Sequence, residues 1–367
     1  MNILLMSPTV LKHDAVGNDI EAMYRILSKV AYCKVFAEGR INKHVEYISD
    51  ELLEKWMNDI ETVIIYHHSI YWQSGEDLLK KAKGRIIFKY HNITPSVFFR
   101  NFFQPYADLC ELGRNQTERL QLSFPDALWM ADSLYNAQDL VFTHPSKIEI
   151  CPPFHRIETI DQRQMDVKIF DDIKKGSDVN LLFVGRVAPN KGHMQLLDIL
   201  HNVSINLKLN VKLRIIGKFD ENLRGYNQMI RDKIGELRLK NRVEFIGEIN
   251  ENSLVSYYKA SDFFVCTSEH EGFCVPVIEA QYFGLPVLTL SSTAIDETLG
   301  EQQLILDNDV RQFTAAIELL VKNRQYRDYL VNMGHENFEK RFRVSAIESQ
   351  FQRILSSHAG ILFEDAH

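Results

Sequence analysis

The order of apolar and polar residues along the chain predicts short buried strands that alternate with helices. Continuous apolar runs of about four to eight residues are typical of parallel strands that are covered on both faces. In the first half of the chain such runs occupy residues 2–6, 33–37, 62–66, 85–90, 127–131 and 147–151. In the second half they occupy residues 181–184, 213–218, 243–247, 262–266 and 286–290.

Segments with helical periodicity lie between these strands. They cover residues 20–30, 50–57, 75–83, 110–122, 252–260, 310–321 and 344–355. Strands and helices that alternate in this way indicate an α/β protein, with parallel sheets and helices on their faces. Residues 156–180 are polar and charged and have no clear apolar period, so we place a domain boundary there. A chain of 367 residues is also long for a single core, which favours two domains.

Composition narrows the class of protein. A net charge of −7 argues against broad nucleic-acid affinity as the main activity. Five dispersed cysteines fit a reducing cytoplasm and indicate neither a disulfide framework nor a zinc site. The first residues lack the basic region of a signal peptide, and no apolar run approaches the roughly 20 residues that span a bilayer. We therefore expect a cytoplasmic protein.

The stretch from Glu271 to Glu279 has the strongest chemical signal. It follows the apolar run at 262–266 and precedes a segment of small apolar residues, 280–284, that we predict to be a helix closed by glycine. Gly272 allows a ligand to approach the backbone, and amides at a helix N-terminus favour anions. Glu279 is suited to accept hydrogen bonds from vicinal hydroxyls such as those of a ribose. The alternative is a solvated acidic helix start that binds nothing.

A second candidate loop begins after the strand at 181–184. It contains Gly185, Arg186, Lys191 and Gly192, so it places two cations at the ligand-binding edge of a sheet. Arginine grips a phosphate with two donors and lysine adds a point charge. Taken alone, the loop fits an ordinary surface turn with two cations equally well.

The two loops together resemble a known family. Glu271, seven residues and then Glu279, with Gly272 and Phe273 after the first glutamate, resembles the signature of retaining glycosyltransferases of family 4. Gly185-Arg186, four residues and Lys191-Gly192 is similar to the second signature of that family. The resemblance implies a GT-B fold, in which two Rossmann-like domains with parallel sheets face a central cleft and the C-terminal helix crosses back to the first domain. The expected domains are 1–160 on the acceptor side, 161–343 for the nucleotide sugar, and 344–367 for the returning helix.

The resemblance also implies roles for particular residues. The expected catalytic residues are Glu271, His91, Arg186 and Lys191. The expected nucleotide-sugar-binding residues are Gly17, Arg186, Lys191, Gly272, Phe273, Cys274, Val275 and Glu279. We expect no metal and no other cofactor, because the cations take the charge-neutralising role of Mg²⁺. The chain departs from the family at Cys274, where glycine is commoner, and at Thr293-Ala294, which stand in place of two glycines.

The candidates in the first half of the chain carry weaker signals. His91 ends a predicted strand, and residues 90–95 (Tyr-His-Asn-Ile-Thr-Pro) resemble a turn of bacterial surface-polysaccharide glycosyltransferases in which the histidine lies near the transferred sugar. A satisfied structural histidine is the alternative. Gly17 lies in a predicted loop, 13–19, that approaches the donor diphosphate in the family; a simple turn in which Asn18 caps the next helix is equally compatible. His67 and His68 also end a strand, and we interpret them as turn residues that line the cleft.

The expected function follows from these motifs. The chain is predicted to move a hexose, with retention, from a GDP- or UDP-sugar to a glycan or lipid-linked acceptor of bacterial surface polysaccharide, O-antigen or capsule. Two alternatives stay open: a nucleotide-sugar epimerase or hydrolase of GT-B architecture, and a non-catalytic nucleotide-sugar-binding partner. The phenylalanines at 98–103 recur at helical spacing. They fit a core stripe, or an apolar surface that meets a lipid-linked acceptor or the edge of the inner membrane.

Overall fold

The computed structural model describes residues 1–11 and 14–363, which form two compact units. The first unit contains the described residues of Met1–Ser96, Ala107–His155 and Arg343–His367, and the second contains Val97–Tyr106 and Arg156–Phe342. The predicted bounds put residues 97–106 in the first domain, whereas their contacts lie in the second unit. The bounds themselves stay a prediction.

The first unit is built on a six-stranded sheet in which every neighbouring pair of strands is parallel. Its strands are β1 (Asn2–Met6), β3 (Tyr32–Phe36), β5 (Thr62–His68), β6 (Arg85–Tyr90), β7 (Leu128–Ala131) and β8 (Ile148–Ile150), and β2 (Thr9–Val10) with β4 (Gly39–Arg40) forms a small separate ladder. The order across the main sheet is β3-β1-β5-β6-β7-β8. All seven residues of β5 are buried, as expected for a central strand covered on both faces.

Both faces of this sheet are buried beneath other parts of the first unit. The sheet alternates between two apolar clusters: Ile3 and Leu5 of β1 face one of them, while Leu4 and Met6 face the other. The helices of this part of the chain are α1 (Ala15–Leu27), α2 (Asp50–Met57), α3 (Gln73–Leu79), α4 (Gln104–Ser123, which begins in the second unit) and α5 (Leu134–Ala137).

The last helix, α15, spans Val344–Ala359 and belongs to the first unit. The Phe351 ring packs edge-on against Phe154 with centroids 5.6 Å apart, and Ile347 and Leu355 are buried in the same cluster. Gln350 Nε2 also donates to the Ile150 carbonyl at 2.6 Å. The chain therefore returns to its first unit through an apolar helix face, which is the crossing that the GT-B resemblance implies.

The second unit repeats the same architecture with a second parallel sheet. Its strands are β9 (Val179–Val184), β10 (Val211–Ile216), β11 (Val243–Gly247), β12 (Phe263–Cys266), β13 (Val287–Leu290) and β14 (Leu304–Leu306), in the order β11-β10-β9-β12-β13-β14. Its helices are α6 (Ile157–Asp161), α7 (Val167–Gly176), α8 (His193–Leu207), α9 (Arg224–Glu236), α10 (Glu251–Ala260), α11 (Val275–Tyr282), α12 (Ile295–Leu299), α13 (Val310–Lys322) and α14 (Arg324–Asn337), followed by a π-helical turn at Phe338–Phe342.

The segment that we interpreted as an irregular boundary contains two helices, α6 and α7. Ile169, Phe170 and Ile173 recur at helical spacing and pack in the core that also holds Tyr257 and Tyr258 of α10. The expectation of an irregular segment is therefore wrong: the apolar stripe is present in the sequence, but the charged residues around it lower the apolar content of the segment.

The phenylalanines at 98–103 do not share one helix. A 3-10 turn ends at Phe98, and α4 begins only at Gln104. Within the second unit, the ring centroid of Phe102 lies 5.3 Å from that of Tyr226, and Phe99 is buried. These contacts favour the packing interpretation of the stripe.

Candidate active site

Two loops of the second unit meet at one edge of its sheet. Strands β9 and β12 are neighbours, so the loops that follow their carboxyl ends come together. Lys191 ends a 3-10 turn on the first loop, and Glu271 lies on the second. Lys191 Nζ is 2.5 Å from Glu271 Oε1, and both side chains are mostly buried. Two residues that are 80 positions apart thus form an ion pair at the predicted diphosphate site.

Backbone and side-chain hydrogen bonds join the same two loops. The Glu269 N–H donates to the Asn190 carbonyl at 2.8 Å, and Asn190 Nδ2 donates to the His270 carbonyl at 3.2 Å. Thr267 Oγ1 donates to the Gly192 carbonyl at 3.0 Å. The loops therefore form a single cross-linked element, and the position of Lys191 follows from that of residues 267–271.

Gly192 is required by this close approach. Its φ is +67°, and a Cβ there would lie 1.9 Å from the Thr267 carbonyl oxygen. Only glycine adopts the left-handed conformation without cost and leaves room for the neighbouring backbone. The glycine of the Lys-Gly pair thus brings the two loops together.

The electrostatics of the pair keep Lys191 charged. Burial lowers the pKa of Lys191, but the adjacent Glu271 carboxylate more than offsets this effect, and the net pKa is raised. A partly buried ammonium at a sheet edge is suited to bind a phosphate. It also neutralises Glu271 when no anion is bound.

Arg186 lies on the same loop with an exposed side chain. It directly follows Gly185, whose N–H donates to the Ile216 carbonyl at 2.8 Å. The end of the neighbouring strand β10 approaches this loop closely at Gly217. There φ is +148°, and a Cβ would lie 1.9 Å from the Gly185 carbonyl oxygen. The backbone before Arg186 is therefore tightly packed, while its guanidinium remains accessible.

The Glu271 loop leads directly into α11. We expected a helix that includes residues 280–284 and has Glu279 about one turn inside it, and α11 begins at Val275, with Cys274 as its N-cap. The Glu271–Glu279 motif is therefore largely the first half of a helix, since Glu279 is its fifth residue. Cys274 adopts a left-handed conformation, φ +76°, and provides no side-chain cap, so the first helical amides lack a capping side chain.

The family's glycine preference matches this backbone. Cys274 occupies a conformation that favours glycine, and Thr293 does so too, with φ +45°. Thr293 Oγ1 accepts a hydrogen bond from the Glu271 N–H at 2.9 Å. The side chain that replaces glycine at 293 therefore supports the Glu271 backbone directly.

Phe273 anchors the loop from the other side. Its carbonyl accepts a hydrogen bond from Thr298 Oγ1 at 2.6 Å, and its buried ring contacts Phe342 with centroids 5.3 Å apart. Val275 packs in the same small cluster. Gly272 lies between Glu271 and this anchor, so the structure brings the predicted residues 271–275 into one turn.

Glu279 is held by a residue that the sequence pattern did not predict. The Tyr258 hydroxyl on α10 donates to Glu279 Oε2 at 2.6 Å. Burial raises the pKa of Glu279, and this hydrogen bond acts in the opposite direction. A tyrosine in an otherwise apolar helical run carried no signal of its own, because aromatic residues at such spacing usually belong to the core.

His91 belongs to a buried polar cluster in the first unit. Its Nδ1 lies 3.0 Å from Asp132 Oδ2, and its Nε2 lies 2.9 Å from His67 Nδ1. Only 5% of the side chain is exposed. Both ring nitrogens thus have partners inside the unit, so a hydrogen bond to a sugar would require one of them to be exchanged.

Lys89 and Asp19 complete this cluster. Lys89 Nζ contacts Asp132 Oδ1 and the Cys151 carbonyl, and Asp19 Oδ1 accepts from the Phe154 N–H at 2.7 Å. Burial raises the pKa of Asp19. Burial also acts to raise the pKa of Asp132, but His91 and Lys89 more than offset this effect, and the net pKa is lowered. Asp132 is therefore the ionised partner of Lys89.

The cluster contains the residues that come nearest to a metal-binding set in the described chain. Ligand atoms of Asp19, His67 and His91 lie within 4.8 Å of one another. However, the two rings are within 13° of parallel with centroids 5.2 Å apart. At that separation their N–N distance of 2.9 Å requires both nitrogens to lie on the line between the ring centres. The two nitrogens therefore point at each other instead of at a shared ion, which favours a hydrogen bond between the rings.

Four members of this cluster, His67, Lys89, Asp132 and Asp19, were not predicted. His67 and its neighbour His68 are the last residues of β5 and are fully buried, so their interpretation as turn residues is wrong. Asp132 follows β7 as His91 follows β6, and adjacent parallel strands bring their ends together. The adjacent ends of β6 and β7, and the presence of Lys89 within the apolar strand β6, were the signals that could have predicted this cluster. Asp19 had none, because it lies on a helix.

Gly17 is part of α1 and not of a loop. The helix begins at Ala15, and Asp14 caps it by accepting the Gly17 N–H, so Asn18 is not the cap. A Cβ at Gly17 would lie 2.0 Å from the Leu11 carbonyl oxygen. Packing within the first unit therefore accounts for this glycine; His13, the first residue of the predicted loop, lies outside the described residues.

Part of the second unit matches a known protein family. Residues 166–337 match the family described as glycosyl transferases group 1. The matched region contains both loops, Tyr258 and all of α11. In the described part of the chain, no helix is both long and apolar enough to cross a membrane.

Bacterial relatives match about half of this chain. The amylovoran biosynthesis glycosyltransferase AmsD of Erwinia amylovora is 27% identical over 187 residues, which cover 50% of this chain and 48% of AmsD. A Campylobacter jejuni α-1,4-N-acetyl-D-galactosaminyltransferase that acts on an undecaprenol-linked glycan is 30% identical over 185 residues, 48% of this chain and 47% of that protein. The chain thus spans about half the length of the curated relatives it matches.

Solved structures share the whole architecture. The structure of Anabaena HepE in complex with UDP and glucose superposes with a TM-score of 0.76 at 16% identity, over 97% of this chain and 100% of HepE. A likeness at this identity shows the fold alone, and it confirms the predicted GT-B fold.

Proposed function

We propose that this chain transfers a sugar from a nucleotide diphosphate sugar, because its residues 166–337 match the family described as glycosyl transferases group 1. The observation that carries the proposal is the Lys191–Glu271 ion pair, 2.5 Å long, at the start of α11. A cation, an uncapped helix N-terminus and a carboxylate converge there. This set is suited to bind a diphosphate and to orient the sugar attached to it.

The proposed role is the synthesis of a bacterial surface polysaccharide, O-antigen or capsule. Relatives support this role by their names, which include amylovoran biosynthesis, an O-antigen chain mannosyltransferase of Escherichia coli and capsular polysaccharide biosynthesis in Staphylococcus aureus. The acceptor would be a glycan or a lipid-linked glycan, and the enzyme would work in the cytoplasm, with peripheral contact with the inner membrane. UDP occupies HepE, which supports a UDP-sugar; a GDP-sugar is the alternative donor.

In the proposed mechanism, Lys191 and Arg186 stabilise the charge that develops on the departing diphosphate, together with the amides of residues 272–275. Preorganised donors of this kind lower a barrier because they need no rearrangement as the charge forms. The two cations take the place of a metal. Lys191 exchanges part of its contact with Glu271 for the phosphate, which frees Glu271 to face the sugar. Glu279 binds the ribose.

The proposed reaction retains the configuration of a hexose, with Glu271 and His91 orienting the sugar. Because both nitrogens of His91 are engaged, its contribution begins with the exchange of the His67 contact for a sugar hydroxyl. Gly17 contributes by letting α1 pack closely on residue 11, which shapes the backbone on the acceptor side.

Two other functions would use the same nucleotide site. A nucleotide-sugar epimerase or hydrolase would convert the donor without an acceptor, and a binding partner would hold it without turnover. The presence of two glutamates and two cations favours catalysis over mere binding. Incubation of donor alone, followed by assays for epimer and free sugar, separates the enzymes.

The test compares Lys191→Ala with Lys240→Ala, which removes an exposed lysine of the same unit. UDP and GDP should each be titrated calorimetrically, with transfer measured by release of the nucleoside diphosphate. We expect Lys191→Ala to weaken diphosphate binding by about tenfold or more, since a hydrogen bond to a charged group contributes about 1.5–3 kcal/mol. Lys240→Ala should bind as the wild type does. Equal affinity of the wild type and Lys191→Ala would reject the proposed site.

A further inference from the structure

The contact between Tyr258 and Glu279 is built more rigidly than an ordinary core contact. Tyr258 is fully buried on α10, and its ring stacks on Phe283 within 18° of parallel, with centroids 5.2 Å apart. Phe264 of β12 stacks on it from 6.2 Å. An aromatic ring enclosed in this way has no freedom to redirect its hydroxyl away from Glu279.

The hydrogen bond leaves half of the carboxylate available. Tyr258 donates to Oε2 at 2.6 Å, whereas Oε1 has no donor among residues 1–11 and 14–363. Glu279 is only partly buried, so this oxygen is reachable from outside the core. The carboxylate therefore has one oxygen fixed by the protein and one that can accept from a ligand.

The geometry points to Tyr258 as a positioning residue that orients Glu279 for the ribose hydroxyls of the bound nucleotide. This inference rests on the proposed function, because it assigns the partner of Glu279 within the donor site. A carboxylate accepts hydrogen bonds from two vicinal hydroxyls only when its plane faces the diol, and rotation about its last bond is otherwise broad. The hydroxyl of Tyr258 stops that rotation.

The tyrosine also favours the charged form of Glu279. Burial raises the pKa of this carboxyl, and the hydrogen bond from Tyr258 counteracts the shift. The ionised carboxylate is a stronger acceptor than the neutral acid, which also carries a donor. Orientation and charge therefore act together on the same ligand group.

Tyr258→Phe is the decisive variant because it keeps the stacked ring and removes only the hydroxyl. Calorimetric titrations should use UDP and GDP and their 2′,3′-dideoxy forms, which lack both ribose hydroxyls. The wild type should prefer the ribose form by about tenfold or more. In Tyr258→Phe the affinity for the ribose form should fall about tenfold, while the affinity for the dideoxy form stays unchanged.

Tyr257→Phe is the matched control. It removes a hydroxyl from the neighbouring residue of the same helix, which is also buried but does not contact Glu279. It should keep the wild-type preference. Glu279→Gln should lose the preference as Tyr258→Phe does, and the double variant Tyr258→Phe/Glu279→Gln should lose no more than Glu279→Gln alone, because both changes act on one interaction.

Each other outcome contradicts a particular claim. If Tyr258→Phe keeps the ribose preference, or weakens ribose and dideoxy forms equally, Tyr258 has a structural role and the inference fails. The inference also fails if the wild type binds both forms with equal affinity; the proposed ribose contact of Glu279 then fails with it, while the proposed sugar transfer stands. A wild type that binds neither UDP nor GDP contradicts the proposed function itself, and the inference with it.

Discussion

A lysine inside an apolar strand is costly unless a carboxylate meets it, and the first unit shows how such a residue is accommodated. Lys89 is fully buried in β6, and Asp132 from the end of β7 neutralises it. Asp132 also contacts His91, so the same carboxylate satisfies a structural cation and orients a candidate catalytic ring. Removal of one member would leave an uncompensated buried charge, which is strongly destabilising.

Buried neutral histidines make the first unit sensitive to acid. Burial lowers the pKa of His68 to about 3, while its Nε2 lies 2.8 Å from Thr117 Oγ1. In the unfolded chain a histidine titrates near about 6.5. The stability from the neutral form is therefore complete above about pH 6.5, and it is lost as the pH falls towards 3, because the unfolded state binds the extra proton.

We predict that His68→Gln reduces the acid sensitivity of the first unit. From about pH 7 to about pH 5 the wild-type free energy of unfolding should fall by up to about 2 kcal/mol more than that of the variant. All three tryptophans, at 56, 72 and 129, lie in the first unit, so urea unfolding followed by tryptophan fluorescence reports on it. His144→Asn, which replaces an exposed capping histidine of a 3-10 turn, should keep the wild-type dependence. An identical pH dependence for His68→Gln would refute this account.

The approach of two loops determines the site at the level of secondary-structure elements. Gly192 allows the turn after β9 to lie against Thr267, and Gly217 allows the next strand end to lie against Gly185. The motif residues Lys191 and Glu271 meet because Gly192 has no side chain that would hold its loop away from Thr267. The spacing of the motifs predicted their association, but the contact itself depends on the neighbouring strands β9 and β12.

We predict opposite effects for two glycine-to-alanine changes in the second unit. Gly192→Ala should destabilise the unit by about 2 kcal/mol or more, since its Cβ meets the Thr267 carbonyl and its φ is left-handed. It should also weaken UDP binding, because it separates Lys191 from Glu271. Gly235→Ala in α9 has open space and should stabilise by about 0.5–1 kcal/mol.

Scanning calorimetry and UDP titration of both variants check this pair of effects. Both variants add one methyl group. Opposite effects on stability would therefore show that the position of the residue, and not the added group, causes the change. If Gly192→Ala were as stable as the wild type and bound UDP normally, the loops would have room that the structure does not contain.

Across the whole molecule, each unit is completed by a segment from elsewhere in the chain. The first unit includes α15, whose Gln350 lies 200 positions from its hydrogen-bond partner Ile150, and the second includes residues 97–106. Phe351 and Leu355 fill the same apolar cluster as Ile3 and Leu5 of β1. The first and last parts of the chain must therefore both be present before this core is complete.

We predict that Phe351→Ala destabilises the first unit by about 3–5 kcal/mol, because it leaves a cavity beside Phe154. Arg353→Ala changes an exposed residue of the same helix and should alter the free energy of unfolding by less than about 0.5 kcal/mol. Urea unfolding monitored by tryptophan fluorescence gives both values. A small effect of Phe351→Ala would mean that α15 is not part of the first core.

Local properties of the sequence were sufficient to predict the repeated strand–helix pattern and the two parallel sheets, and they singled out the two loops that meet after β9 and β12; the role of these loops in donor binding stays a proposal. Apolar runs, glycine positions and the charge of neighbouring side chains can all be read without knowing the fold. Local properties also explain two misses. The charged residues of α7 obscure its short apolar stripe, and the phenylalanines at 98–103 have helical spacing without sharing a helix.

The pairing of distant polar groups could be learned only from the folded chain. The links from Tyr258 to Glu279, from His91 to His67 and from Asp19 to the Phe154 backbone join separate elements. The sequence around a residue in a strand or helix shows the same pattern whether or not a hydrogen-bond partner faces its side chain. Its partner follows from strand order and helix packing, which are set by the burial of the whole core and not by the residues on either side.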